Sequence, residues 1–176
     1  MLMKSSLLLL SCLLLGCGSA SQVSTHTVKT VDLPRYMGKW YEIARFDHSF
    51  ERHMREVTAE YTLLPTGKIR VVNSGYNVKK GRYTKAIGKA KQPNAEEPGR
   101  LKVSFFLWFY GSYNILELDE EGYNYALIGG DNDKYLWLLS RTPQLSDQVK
   151  QHLLDKATAR GYAIKKLIWV EQKKQP

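Results

Sequence analysis

Between Gly38 and Arg141 the sequence never runs far without a turn signal. Segments rich in Val, Ile, Thr, Tyr and Phe alternate with turn-forming residues, Gly, Pro, Asn, Asp or Ser. They are too short for ordinary buried helices, and their β-branched and aromatic content favours strands. The runs are Gly38–Phe46, Val57–Leu64, Lys68–Asn73, Arg82–Lys91, Leu101–Leu107, Tyr113–Asp119, Tyr123–Ile128 and Lys134–Arg141. Loops are expected around Ser74–Asn77 and at Gly111-Ser112. Strands in succession with mainly hairpin-length turns fit an up-and-down antiparallel barrel or a sandwich.

After Arg141 the period changes. Leu145, Val149, Leu153 or Leu154, and Ala157 recur at helical spacing within Gln144–Arg160. Ser146 is a suitable N-cap, Asp147 lies in the first turn, and Gly161 is a suitable stop. The apolar stripe of this helix should pack on the sheet. Ala163–Val170 reads as a last short strand, and neither an internal repeat nor a second domain is visible.

The N-terminus is a separate segment. Met1–Ser6 carries one charge, Lys4; Leu7–Leu15 is almost wholly apolar; Gly16-Cys17 follows. This order is that of a secretory signal, and the apolar run falls short of the roughly 20 residues that span a bilayer. The expected organisation is a signal over 1–16, a polar tether over 17–31, one domain over 32–171 and a basic tail over 172–176. Removing Lys4 takes the formal net charge from +9 to +8. Of the two cysteines, Cys12 leaves with the signal, so the mature chain from Cys17 has no intramolecular disulfide. The core must hold the fold, and a chain of this size buries roughly 70% of its unfolded surface.

No catalytic constellation, metal set or cofactor motif is apparent. His26 lies in the tether and His152 on the helix; His48 and His53, with Asp47 and Glu51, read as a polar loop at the barrel mouth, without a zinc-like spacing. No phosphate loop or nucleophile elbow occurs. The positive charge invites a nucleic-acid reading, but an exported protein meets little nucleic acid. Acidic lipid headgroups are nearer partners for pairs such as Lys79-Lys80, Lys165-Lys166 and Lys173-Lys174.

Leu14-Leu15-Gly16-Cys17 resembles the lipobox of bacterial lipoproteins. The resemblance implies acylation of Cys17, cleavage before it, and anchoring by three acyl chains. Gly18 rather than Asp implies sorting to the outer membrane of a Gram-negative envelope. Leu9-Leu10-Ser11-Cys12 fits the short pattern but leaves too little apolar run before it. An ordinary secreted protein with a chance cysteine is the plainer alternative.

The domain resembles the lipocalins. Gly38-Lys39-Trp40 matches the family's Gly-x-Trp signature on strand one, and Leu136–Pro143 matches the motif ending strand eight, with Arg141 as its arginine. Leu118-Asp119-Glu120 is a degenerate middle motif. Phe46–Arg52 and Val103–Phe106 look typical of the bacterial outer-membrane lipocalin lipoproteins. The resemblance covers about residues 32–171. It implies an all-β fold: an eight-stranded antiparallel up-and-down barrel, one C-terminal α-helix and a short ninth strand. It also implies that Trp40 plugs the closed end with the Arg141 guanidinium over its indole, a contact worth about 0.5–2 kcal/mol.

An eight-stranded barrel is just wide enough for one small ligand. Alternation along each strand then gives its lining. With Trp40 and Arg141 inward, Glu42, Ala44, Tyr135, Trp137 and Leu139 follow. Polarity and the family pattern place Ala59 and Tyr61, Val71 and Asn73, Ala86 and Gly88, Val103 and Phe105, and Asn114, Leu116 and Leu118 inward. Ala86, Gly88 and Ala90 leave room for an elongated apolar molecule. Phe105–Tyr110 breaks the alternation; the side chains left outside would form a rim or a dimer contact unless the helix or a loop covers them. The resemblance implies binding of a fatty acid or lysophospholipid for lipid storage or transport in envelope maintenance, and it leaves a homodimer open. The other readings are a lipid-modifying enzyme on the same barrel, and a structural lipoprotein with a filled barrel.

Overall fold

The strand runs pair in sequence order. They are β1 (Gly38–Phe46), β2 (Met54–Leu63), β3 (Ile69–Asn77), β4 (Arg82–Lys91), β5 (Arg100–Phe106), β6 (Phe109–Leu118), β7 (Tyr125–Gly129) and β8 (Leu136–Ser140). Each is antiparallel to the next, and β1 pairs with both β8 and β2, so the sheet closes into a barrel. The sandwich alternative is thereby removed. The computed structural model describes residues 23–173; the signal, Cys17 and the last three residues of the basic tail lie outside them.

Two expected loops are strand. Ser74–Asn77 continues β3, and Gly111-Ser112 lies inside β6, opposite Val103 and Lys102. Gly75 marks a close approach and not a turn. A Cβ there would stand 3.0–3.2 Å from Met54, Val57 and the Arg55 carbonyl. The β5–β6 turn is instead Leu107-Trp108, which carries no turn residue at all.

A short helix, α1 (Leu33–Tyr36), lies before β1 at one end of the barrel. Asp32 caps it, accepting from the Arg35 amide at 3.1 Å. The long helix α2 (Asp147–Ala159) follows β8. Ser146 is its N-cap as expected, accepting from the Val149 amide at 3.3 Å, and Gly161 follows it at φ +90°. Leu153 and Ala157 are fully buried against the outer wall, where a buried Leu contributes roughly 2 kcal/mol. The last strand, β9 (Leu167–Trp169), is shorter than expected, because residues Ile164–Lys166 form a 3-10 turn. It pairs with the upper half of β1, at Ala44–Phe46.

The core is two clusters on opposite faces of the same strands. Trp40, Tyr61, Ile69, Val71, Leu101, Ile115, Ile128 and Leu139 lie inside the barrel. Ile43, Ala44, Phe46, Leu116, Leu127, Leu136 and Leu138 lie outside it, under α2. This division gives the phase of each strand and corrects three expectations. In β6 the register with β7 slips between Ile115 and Glu117, so Leu116 and Glu117 both face outward while Leu118 returns inside. Leu116 therefore packs beneath α2 and not in the lumen. Asn114 stands opposite in phase to Tyr113 and Ile115, and its amide donates to the Gly130 carbonyl at 2.8 Å. In β1 the register with β8 slips between Glu42 and Ala44. Ala44 thus faces α2, and Arg45 takes the inward position. Each bulge inserts one residue and inverts the alternation beyond it.

Residues 23–31 are not the free tether expected of them. Val23 is buried in the outer cluster, the Ser24 amide donates to the Arg160 carbonyl at 2.9 Å, and the Val28 amide to Ile115 at 3.0 Å. Residues 23–31 are thus laid along the barrel wall.

Candidate functional site

The two ends of the barrel differ in kind. At the α1 end, the Arg141 guanidinium carbon stands 3.9 Å over the Trp40 ring. Arg141 also donates to the carbonyls of Lys39, Arg35 and Tyr123 at 2.8–3.1 Å, and the Trp40 indole donates to Tyr36 O at 2.9 Å. The expected plug is present, with α1 tied into it. Above it the hydroxyls of Tyr36, Tyr113 and Tyr61 form a chain with spacings of 2.7 and 3.0 Å. Burial pushes all three phenols above their ordinary range. A cavity of about 10 Å³ lies here, lined by Tyr36, Met37, Tyr61, Ile69, Ala90, Leu101, Val103 and Tyr113. It has room for about one water. This end is a packed floor.

The middle of the lumen carries the expected small and apolar lining on one side. Ala59, Asn73 and Ala86 stand in register across β2, β3 and β4, and Val71 faces Gly88. Asn73 Oδ1 is buried without a hydrogen-bond partner among the described residues. Gly88 leaves no empty space, contrary to expectation. A Cβ there would stand 2.7 Å from the Phe105 ring, which already fills the position. Ala86, although inward, is exposed, and Phe105 is 41% exposed, so this wall is open to solvent above.

The opposite side is ionic; alternation places Glu42 there, as expected, but not Arg45, His48 or Glu51. Glu42, Arg45, His48 and Glu51 are each at most 8% exposed. Arg45 Nη1 donates to Glu42 Oε1 at 2.7 Å, and Nη2 to the Glu51 carbonyl at 2.8 Å. The Trp137 indole donates to Glu51 Oε2 at 3.1 Å, and His48 Nε2 lies 3.3 Å from the same oxygen. Burial, and then the charge of Glu51, push the Glu42 carboxyl well above the usual range. Burial raises Glu51 too, against the lowering contacts from Trp137 and Arg45. One arginine facing two such carboxyls is consistent with a single shared proton. His48 is pulled down to about 4, first by burial and then by Arg45, so it is neutral near pH 7. Tyr135, Trp137, His48 and Phe50 form an aromatic stack over the cluster, with centroids 4.0–6.5 Å apart. The one available signal was Arg45 itself, a lone charge inside the apolar run Ile43–Phe46.

A lipocalin-like domain model matches residues 31–172. The chain is a lipocalin. It is 48% identical over 161 residues to the outer membrane lipoprotein Blc of Escherichia coli K12, covering 91% of this chain and 90% of that one. It is 47% identical to the Blc protein of Vibrio cholerae, covering 94% and 96%. Temperature-induced lipocalin-1 of Arabidopsis thaliana is 36% identical over 85% of this chain and 83% of that one. Among solved structures, insecticyanin from the tobacco hornworm Manduca sexta superposes with a TM-score of 0.70 at 22% identity over 85% of each chain. That likeness shows the barrel fold. Lipocalins bind small hydrophobic ligands.

Proposed function

We propose that this lipocalin holds one amphiphilic lipid, a fatty acid or lysophospholipid, with its acyl chain in the lumen and its headgroup at the mouth. The observation that carries this is the two-sided lumen: Ala59, Val71, Asn73, Ala86, Val103 and Phe105 offer a small, mostly apolar wall that opens upward. The ionic and aromatic group around Glu51, Trp137 and Tyr135 stands opposite. An alkyl chain on that wall would gain about 0.8 kcal/mol for each buried CH₂. The partnerless Asn73 oxygen can accept from a polar group or from water. Tyr61 and Gly88 complete the wall below and beside it; Asn114 and Leu116 take no part.

Acylation at Cys17 would anchor the domain in the outer membrane of a Gram-negative envelope, consistent with the names of its bacterial relatives. Storage or transport of lipid for envelope maintenance is the role this arrangement suits. No covalent chemistry is required, so a lipid-modifying enzyme is the weaker reading. The filled-barrel alternative draws support from the packed floor, where only about 10 Å³ is free. A titration separates these readings. The secreted Cys17→Ala protein, stripped of lipid, is titrated with a long-chain fatty acid and with a lysophospholipid while Trp fluorescence is followed. Saturation at one lipid per barrel, largely silenced by Trp137→Phe, is the expected result. A folded, lipid-free protein that binds neither would establish the filled barrel.

A further inference from the structure

The rim of the mouth exposes apolar side chains that the lumen does not use. Phe106, Leu107, Trp108 and Phe109, consecutive at the β5–β6 turn, are 67, 54, 73 and 65% exposed. Phe50 on the β1–β2 loop and Val78 on the β3–β4 turn are also exposed, as is Ile87 on the outer face of β4. The β5–β6 turn contravenes local rules twice. Leu107 has φ +49°, a left-handed conformation that Gly or Asn adopts far more easily, and a Leu-Trp pair replaces the usual polar turn residues. Neither choice helps an isolated domain in water.

The neighbouring outer wall is cationic. Lys79, Lys80, Arg82, Lys85, Lys89 and Lys91 lie on or beside β4, and no ion pair among the described residues engages them. Lys89 and Lys91 flank the Tyr110 ring, at 5.8 and 4.8 Å. Aromatic and aliphatic tips beside unpaired lysines match the interfacial region of an anionic bilayer, where each nearby cation contributes about 1 kcal/mol.

The point of attachment agrees with this face, given the proposed acylation of Cys17. Val23 lies against Gly161 and shares its buried cluster with Phe46 and Leu136, at the mouth ends of β1 and β8. Residues 17–23 can span at most about 20 Å. The anchor is thus held near the mouth, not the floor.

We infer that the mouth rim, led by Phe106–Phe109 and backed by the β4 lysines, docks into an anionic phospholipid surface, so that the lumen opens onto the bilayer. This stands whichever lipid the lumen takes. The test uses the acylated protein reconstituted into phosphatidylethanolamine–phosphatidylglycerol vesicles carrying bromine near the glycerol end of the acyl chains. Retention on the vesicles in high salt reports the anchor; quenching of Trp emission reports the rim. Docking predicts strong quenching that Trp108→Phe mostly removes and Trp169→Phe, on β9, leaves in place. It also predicts that phosphatidylcholine in place of the anionic lipid reduces the quenching severalfold. Quenching unaffected by Trp108→Phe, or equal in both lipid mixtures, overturns the assignment. So does Trp108 that acrylamide reaches freely in the absence of bromolipid quenching. Trp108 shielded from both quenchers means that a second copy covers the rim, which equally overturns it.

Discussion

The floor and the mouth of this barrel solve opposite problems with similar residues. Each has an arginine beside a tryptophan. At the floor, Arg141 lies over Trp40 and its donors go to backbone carbonyls, with no carboxylate in the group. At the mouth, Arg45 is 3% exposed and faces two buried carboxyls, one of which also accepts a hydrogen bond from the Trp137 indole. The floor is therefore indifferent to pH near neutrality, while the mouth holds a proton balance. Buried ion groups of this kind seldom add net stability over an apolar core. Their presence under an open mouth indicates a use other than holding the fold together.

The largest effect expected in this comparison is at the floor. Trp40→Ala should destabilise by about 3–5 kcal/mol, the range for removing a buried aromatic, read as a fall in the denaturation midpoint. An unchanged midpoint would remove the plug role. Arg45→Met should be nearly as damaging, about 3 kcal/mol, and the loss should deepen as pH rises. Glu42 and Glu51 then ionise without a counter-charge, and a group with a raised folded-state pKa loses stability above its unfolded value. Arg141→Met, by contrast, should cost about 1–2 kcal/mol with no such slope. Parallel pH profiles for the two arginine variants would contradict the distinction.

The acid side should belong to His48. Its pKa falls to about 4 in the folded state, against about 6.5 unfolded. The neutral form is favoured by folding, so its contribution is present above pH 6.5 and is lost as pH falls towards 4. His48→Gln should flatten that part of the stability profile; an unaltered acid limb would place the titration elsewhere. The smallest effect should be at the rim, where Leu107→Gly relieves the positive φ and raises stability by roughly 1 kcal/mol. A destabilised variant would mean that the Leu107 side chain is held by the barrel after all.

The two ends were unequally legible. Strand order, the N-cap at Ser146, the stop at Gly161 and the Trp40–Arg141 pair all rest on local signals and motif positions, and these survive in three dimensions. The lumen wall at Ala59, Val71 and Val103 followed from simple alternation. What alternation cannot carry is a bulge. One inserted residue in β1 moved Ala44 out and Arg45 in, and one in β6 moved Leu116 beneath the helix. The loop carrying His48 and Glu51 was expected at the mouth, but not their burial, because nothing local announces that a loop folds back over a barrel. Gly75 looked like a turn for the same reason, since a glycine forced by close packing resembles one required by a bend; Gly111 lies in mid-strand without such crowding.

The most direct test of the division between floor and mouth is an indole NMR titration. The four tryptophans give reporters at Trp40 in the floor, Trp137 in the mouth, Trp108 on the rim and Trp169 on the outer wall. Lysophospholipid is added to the lipid-free Cys17→Ala protein below its micellar concentration. A saturable shift of the Trp137 indole N–H, which donates to Glu51 Oε2, is expected, with Trp40 unmoved. A shift of Trp40 with Trp137 unmoved would place the ligand at the floor and contradict the division.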